Sequence, residues 1–132
     1  MRLFFLGLSL IIALSAPRAQ NVQKMSDAEQ LGMMAGLAMA CGSTKKLEDY
    51  ELISSRLIAN PAVSEEIEKQ HIRMYMQAKW DAMQRQQKDP PVSCKEVLEH
   101  FNKLPIFNSI VYRDGSVKLP DGTWSKPLRP LK

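Results

Sequence analysis

The stretch from residue 31 to residue 41 constrains the fold more than any other part of the sequence, because it is apolar on every side of a helix. Ser26 and Glu29 have the spacing of a capping box and predict where this helix begins. Gly42 is a residue type that often follows a helix end. A helix without a polar face is usually buried on all sides. We therefore expect this helix to lie at the centre of the protein.

Three small residues, Gly32, Gly36 and Ala40, recur at every fourth position of this helix. A glycine inside a helix costs about 1 kcal/mol relative to alanine. Close packing of a second helix along the three small residues would offset that cost. The same stripe could instead border a groove that binds a partner helix or an apolar ligand, so both uses stay open.

Capping residues, hydrophobic spacing and prolines predict three more helices. They run from Ser43 or Thr44 to about Asn60, from Ser64 to about Gln87, and from Ser93 to about Lys103. The end of the third helix, residues 84–88, is wholly polar. We expect these last turns to project into solvent.

The third helix carries a second apolar ridge beside its main stripe, formed by Met76, Trp80 and Met83. Core packing is the favoured use of residues at this spacing. Methionine and tryptophan also suit adaptable protein binding, so this ridge is a candidate interaction surface.

After residue 105 the pattern changes from helix to strand. Asp114-Gly115 separates two short β-branched runs and predicts a hairpin, and Asp121-Gly122 predicts another turn. The last residues contain two more prolines and are expected to be extended or disordered. Tyr112 and Trp124, together with the basic residues around them, form a further candidate interaction surface.

Cys41 and Cys94 are the two cysteines of the chain, and each falls next to a predicted helix boundary. In an oxidising compartment, two cysteines indicate one disulfide, here between the first and last helices. A reactive Cys94 thiol is the alternative, although no Cys-x-x-Cys pattern favours it. We predict a mostly α fold, in which a compact four-helix domain with one disulfide (20–104) follows residues 1–19 and precedes a β-hairpin and extended basic tail (105–132).

The first nineteen residues have the order of a signal peptide. Arg2 precedes an uncharged apolar run over residues 3–14, and small residues follow it as far as Ala19. The run of about 12 residues is shorter than the 20 or so that a spanning helix needs. We predict cleavage after Ala19, although Pro17 makes the site imperfect, and a periplasmic or secreted mature protein. An uncleaved membrane anchor is the alternative.

Charge argues against a nucleic-acid partner. The chain has 18 Lys and Arg against 14 Asp and Glu, and two of the basic residues lie in the predicted signal peptide. The remainder has a net charge of +2 and contains no basic stripe of the kind that nucleic-acid binders show. The last twenty residues carry +3 and could contact an acidic partner or an anionic membrane surface, but a solvated tail is the favoured interpretation.

We predict no cofactor, no metal site and no catalytic residue. His71, Met74 and Met76 have the composition of a copper(I) cluster, but positions 74 and 76 lie about 200° apart around a helix. His71 and His100 are the two histidines, and they lack the spacing of zinc ligands. The sequence contains no nucleophile elbow, phosphate-binding loop or dinucleotide fingerprint.

The sequence therefore predicts an exported, non-enzymatic protein of a bacterial envelope that acts through protein–protein contact. It would be a chaperone-like factor or a small component of a secretion or envelope assembly, with another envelope or secreted protein as its partner. A carrier that holds a small apolar ligand between its helices is the second interpretation. A small hydrolytic enzyme is the third.

Overall fold

The computed structural model describes residues 25–130. The predicted signal peptide and its cleavage site lie outside the described residues. The predicted fold class is confirmed: four α-helices precede a short 3-10 helix and a three-stranded antiparallel sheet. The helices are α1 (Asp27–Ala40), α2 (Lys45–Ala59), α3 (Glu65–Lys88) and α4 (Cys94–Asn102), and the strands are β1 (Ile110–Val111), β2 (Val117–Lys118) and β3 (Trp124–Ser125).

Serine side chains begin three of the four helices. The hydroxyl oxygens of Ser26, Ser64 and Ser93 each accept a hydrogen bond at 3.2 Å from the backbone N–H three residues later. Each bond satisfies one of the N–H groups that the first helical turn leaves without a partner. Helix α2 differs, because Thr44 precedes it without a capping hydrogen bond from its side chain.

Helices α1 and α3 pack at very short range, and this contact organises the core. A Cβ atom added at Gly32 would lie 2.2 Å from the carbonyl oxygen of Tyr75, and one added at Gly36 would lie 2.1 Å from that of Lys79. Both contacts advance by four residues in the same direction, so the two helices run parallel. Only glycine leaves room for backbones at this distance, which explains two glycines inside one helix.

An aromatic cluster closes the core at the other side of α1. The Tyr50 and Phe101 ring centroids are 5.1 Å apart, and Phe107 meets the Phe101 ring edge to face at 5.3 Å. The Tyr50 hydroxyl donates a 2.8 Å hydrogen bond to the carbonyl oxygen of Leu31. Burial raises the pKa of Tyr50 to about 12, so the hydroxyl keeps the proton that it donates.

A partly buried polar network joins α2 to α3. Glu51 accepts a 2.8 Å hydrogen bond from the Tyr75 hydroxyl and forms an ion pair with Lys79 at the same distance. Burial, followed by the bond to Glu51, raises the pKa of Tyr75 well above its ordinary value. The network fixes α2 against the same part of α3 that the glycines of α1 contact.

The predicted disulfide is confirmed. Cys41 caps the C-terminus of α1, Cys94 opens α4, and their Cα atoms are 5.2 Å apart. The prediction that residues 84–88 project wholly into solvent is wrong at Gln86, which is buried. Its side-chain amide donates a 2.7 Å hydrogen bond to the carbonyl oxygen of Val92, which holds the loop that leads to Cys94.

Helix α1 is also less enclosed than its composition predicts. Ala28, Ala35 and Ala38 are buried, but Met39 is exposed. The expectation that the helix is buried on all sides is therefore wrong at its C-terminal end. The reason is geometric: α3 covers one side of α1, and the described chain provides no element over Met39.

The predicted hairpin is present, and a third strand extends it. The strand order is β1-β2-β3, and Val117 of β2 is fully buried between its partners Val111 and Ser125. The turns are alike, because Asp114 and Asp121 each accept a hydrogen bond from the backbone N–H two residues later. The glycine after each aspartate has a φ of about +90°, which side chains disfavour.

Asn60, at the end of α2, attaches the sheet to the helices. It is 1% exposed, and its amide nitrogen donates to the carbonyl oxygens of Gly115 and Ser125 at 2.9 and 3.0 Å. The backbone carbonyl oxygen of Asn60 accepts a 3.0 Å hydrogen bond from the backbone N–H of Leu128. The tail as far as residue 130 is thus held to the helices, and Arg129 adds an ion pair with Glu68.

Replacing Asn60 by alanine should lower the free energy of unfolding by about 2–3 kcal/mol, because one buried and one partly buried carbonyl oxygen would lose a donor. Chemical denaturation of the variant measures this loss. Amide hydrogen exchange should show that protection falls first in β2 and β3. Asp121→Ala, in the exposed second turn, is the control and should cost less than about 1 kcal/mol. A loss at Asn60 no larger than that of the control would contradict its role as the attachment point.

Candidate functional site

The α3 ridge of Met76, Trp80 and Met83 is exposed for most of its length. Met76 and Trp80 are each 54% exposed, whereas Met83 is half-buried. Ile72, one turn before Met76, is exposed as well and extends the ridge. Core packing was the favoured use of these residues, and for Met76 and Trp80 the structure shows the opposite. The glycines of α1 contact the face of α3 that lies next to the ridge. The ridge itself is outside that contact and stays exposed for most of its length.

The small-residue stripe of α1 has a different environment. Gly32 and Gly36 face the backbone of α3, as described above, and Ala40 is half-buried. The sequence left two uses open for the stripe, helix packing within the chain or a binding groove. At both glycines the structure has helix packing within the chain. An occupant from outside would have to displace α3 from them.

An apolar groove of about 590 Å³ lies beside the N-terminal half of α1. Its wall is formed by Leu31, Met34, Leu57, Ile58, Leu104 and Ile106. Polar side chains border it, among them Asp27 at the start of α1 and the half-buried His71 of α3. The sequence did not predict this groove, because its wall combines residues from three separate segments, α1, α2 and residues 104–106.

The outer face of the sheet carries the second predicted surface. The Tyr112 and Trp124 ring centroids lie 5.2 Å apart, and the two residues are 41% and 47% exposed. The ammonium groups of Lys118 and Lys126 lie 5.7 and 5.4 Å from the centre of the Trp124 ring. Strand pairing places Lys118 directly opposite both Trp124 and Ile110, so these side chains share one face. The sequence identified the aromatic pair and basic residues around it, and strand register shows that Lys118 is one of them.

The residues considered for metal chemistry do not come together. Met74 packs against the core while Met76 is exposed, so the helix directs the two sulfur atoms to different sides. His71 borders the groove, and His100 is exposed on α4. Within residues 25–130, no group of three or more His, Cys, Asp or Glu side chains is arranged to hold a metal ion. Cys94 forms the disulfide with Cys41, so the alternative of a reactive Cys94 thiol does not hold.

Across residues 25–130, no helix has both the length and the hydropathy needed to cross a membrane; α3 is long enough but highly charged. Searches with protein-family models, against curated proteins and against solved structures find no match to this chain.

Proposed function

We propose that this is an exported protein of a bacterial envelope that acts by binding another protein through the α3 ridge. The observation that carries this proposal is the exposure of Met76 and Trp80, two apolar side chains one turn apart beside the face of α3 that packs against α1. Export rests on the signal-peptide pattern of residues 1–19, and the disulfide fits an oxidising compartment.

The ridge has the properties of a preformed binding surface. The parallel contact with α1 and the ion pair between Glu51 and Lys79 hold α3 on two sides. A rigid surface loses little conformational entropy when it binds. From Ile72 to Trp80 the apolar stripe is about 12 Å long, a length that matches two turns of a partner helix.

The chemistry of the ridge also fits a protein partner. Tryptophan is enriched among the residues that dominate binding energy, and methionine adapts its shape to irregular apolar surfaces. We therefore expect the partner to present an apolar helix face or a shallow apolar pocket. A chaperone-like factor and a small component of an assembly would both use such a surface.

A photo-reactive amino acid at position 80, in the full chain produced in its own cells, tests the proposal. We expect one discrete adduct with a second protein, which mass spectrometry of the adduct identifies. The same probe at exposed Lys95, on α4, is the control and should not give that adduct. The absence of an adduct at position 80, or identical products at both positions, would contradict the proposal.

A matched pair of double variants tests the same proposal by a second measurement, the affinity for the identified partner. Met76→Glu with Trp80→Glu should reduce affinity for the identified partner at least about 100-fold, as expected when a hot-spot tryptophan is lost. Leu52→Glu with Val63→Glu introduces the same charges at two other exposed apolar positions and should change affinity less than about threefold. Both variants should keep the thermal unfolding midpoint of the parent, because the four side chains are exposed.

A carrier of a small apolar ligand is the second candidate, and the groove beside α1 favours it. Its volume of about 590 Å³ falls within the range of ligand pockets, and its wall is predominantly apolar. Native mass spectrometry of the purified protein should then detect a retained ligand mass. Leu57→Trp, which narrows the groove, should abolish that mass, whereas a parent protein without any bound mass would reject the carrier.

A further inference from the structure

The outer sheet face, defined as Ile110, Tyr112, Lys118, Trp124 and Lys126, combines three kinds of side chain that the proposed function does not use. It contains one aliphatic residue, two aromatic rings in contact and two lysines placed over the Trp124 ring. The opposite side of the sheet faces the helices through the buried Val117. The five residues are therefore free to contact something outside the molecule.

Neither lysine of this face forms an ion pair among residues 25–130, whereas Arg129 is paired with Glu68. The exposed carboxylate of Asp114 lies close enough to Lys126 to interact with its charge. A shallow concavity next to the face is lined by Arg113, Asp114 and Lys126, so basic groups outnumber the acid there. The face thus presents positive charge next to exposed apolar surface, and its complement is a surface that is anionic and apolar at once.

The arrangement of the rings favours a bilayer over a nucleic acid. Bases bind proteins by stacking on open aromatic faces. Here Tyr112 lies against Trp124, and the two lysine ammonium groups lie over the Trp124 ring, so a base would have to compete with these groups for the Trp124 face. Tryptophan and tyrosine concentrate at the membrane–water interface, where each has an apolar body and a polar tip. Lysines beside them gain attraction from anionic headgroups.

We propose that the outer sheet face docks the protein onto a membrane surface that contains anionic phospholipid. Trp124, Tyr112 and Ile110 lie at the depth of the headgroups, and Lys118 and Lys126 contact lipid phosphates. The attachment is peripheral and is distinct from protein binding by the α3 ridge. Sheet and ridge belong to different elements, so each can be disabled without the other.

The test uses vesicles of phosphatidylcholine with about 30% phosphatidylglycerol, a content that gives a negative surface potential. Trp80→Phe leaves Trp124 as the single tryptophan of the chain. Its emission should shift to shorter wavelength on vesicle addition and should be quenched by lipids brominated near the headgroup. Vesicles of phosphatidylcholine alone should bind at least about tenfold more weakly.

Charge-reversal variants test whether the outer sheet face is the part of the protein that binds the vesicles. Lys118→Glu with Lys126→Glu should lower the partition coefficient at least about tenfold. Lys88→Glu with Lys95→Glu changes the net charge equally at the disulfide end of the molecule and should lower it less than about threefold. The neutral variant Lys118→Gln with Lys126→Gln should give an intermediate loss, and unfolding midpoints show that each variant is folded.

Three results would overturn the proposal. They are no binding to anionic vesicles, an equal loss in the two charge-reversal variants, and Trp124 emission that vesicles leave unchanged. Tighter binding of the same face to single-stranded DNA or to an acidic peptide than to vesicles would also overturn it. None of these results bears on the photo-crosslinking experiment at position 80, so the two proposals fail independently.

Discussion

Replacing both Gly32 and Gly36 by alanine should lower the free energy of unfolding by about 2–6 kcal/mol. Each new methyl group would meet a carbonyl oxygen of α3 at 2.2 or 2.1 Å, and that oxygen belongs to the backbone. The helices must separate, which removes packing along their whole contact, and overpacking of a core typically costs 1–3 kcal/mol per site. Urea denaturation of the single and double variants measures the loss.

The sign of this result is decisive, because alanine is the better helix former by about 1 kcal/mol at an ordinary position. If α1 and α3 did not approach closely at the glycines, each single variant and the double variant would be more stable than the parent. Gly42→Ala is the control: its φ is +89° and nothing lies within 4 Å of the added Cβ, so only backbone strain of about 1–2 kcal/mol is expected. Stabilisation by Gly32→Ala would refute the packing described for α1 and α3.

Removing the disulfide by Cys41→Ala with Cys94→Ala should cost about 4 kcal/mol. The bond joins residues 53 positions apart, and in the chain-entropy model a closed loop of that size restricts the unfolded chain by roughly this amount. Small domains are stable by about 5–15 kcal/mol in total, so the variant should be close to unfolding at 37 °C. Denaturation of parent and variant under identical conditions gives the difference.

Reductant supplies the control for the disulfide. Dithiothreitol should destabilise the parent by about the same amount as the double substitution, and it should leave the variant unchanged. Alkylation without reductant should add no mass to the parent. Labelling of both thiols, or a reductant effect in the variant, would contradict the assignment of the stabilisation to this bond.

Local signals predicted most of the helical part. The hydroxyl groups of Ser26, Ser64 and Ser93 accept hydrogen bonds from backbone N–H groups of the first helical turn. The beginning of each of these three helices therefore depends on residues only three positions apart. The disulfide could be predicted because the chain contains two cysteines, and an export signal, if functional, would place them in an oxidising compartment. The Asp-Gly turns are equally local, since the positive φ of Gly115 and Gly122 is a property of single residues.

The missed features depend on contacts between distant parts of the chain. Asn60 next to a proline indicated only a helix end, whereas its amide holds strands that lie more than 50 positions later. Gln86 belongs to a polar run, but the loop to Cys94 covers it. Trp124 forms a third strand because β2 presents a free edge to it, which no pattern of residues 120–130 specifies.

The candidate surfaces were predicted in part. The spacing of Met76, Trp80 and Met83 identified a ridge, but periodicity alone cannot distinguish a buried stripe from an exposed one. Exposure is decided by where the glycines of α1 dock on α3. Basic residues were expected around Tyr112 and Trp124, but the position of Lys118 opposite Trp124 could not be predicted, because it depends on strand register.

The position of Asn60 has a consequence for the order of events during synthesis. The residue lies between Cys41 and Cys94, inside the covalent loop, whereas the strands that it holds come after that loop. A chain that emerges N-terminus first can therefore form all four helices before β1–β3 emerge. We expect the sheet to arrive last and to dock on a finished helical unit, so early release of the chain should give a folded but shorter protein with Asn60 exposed.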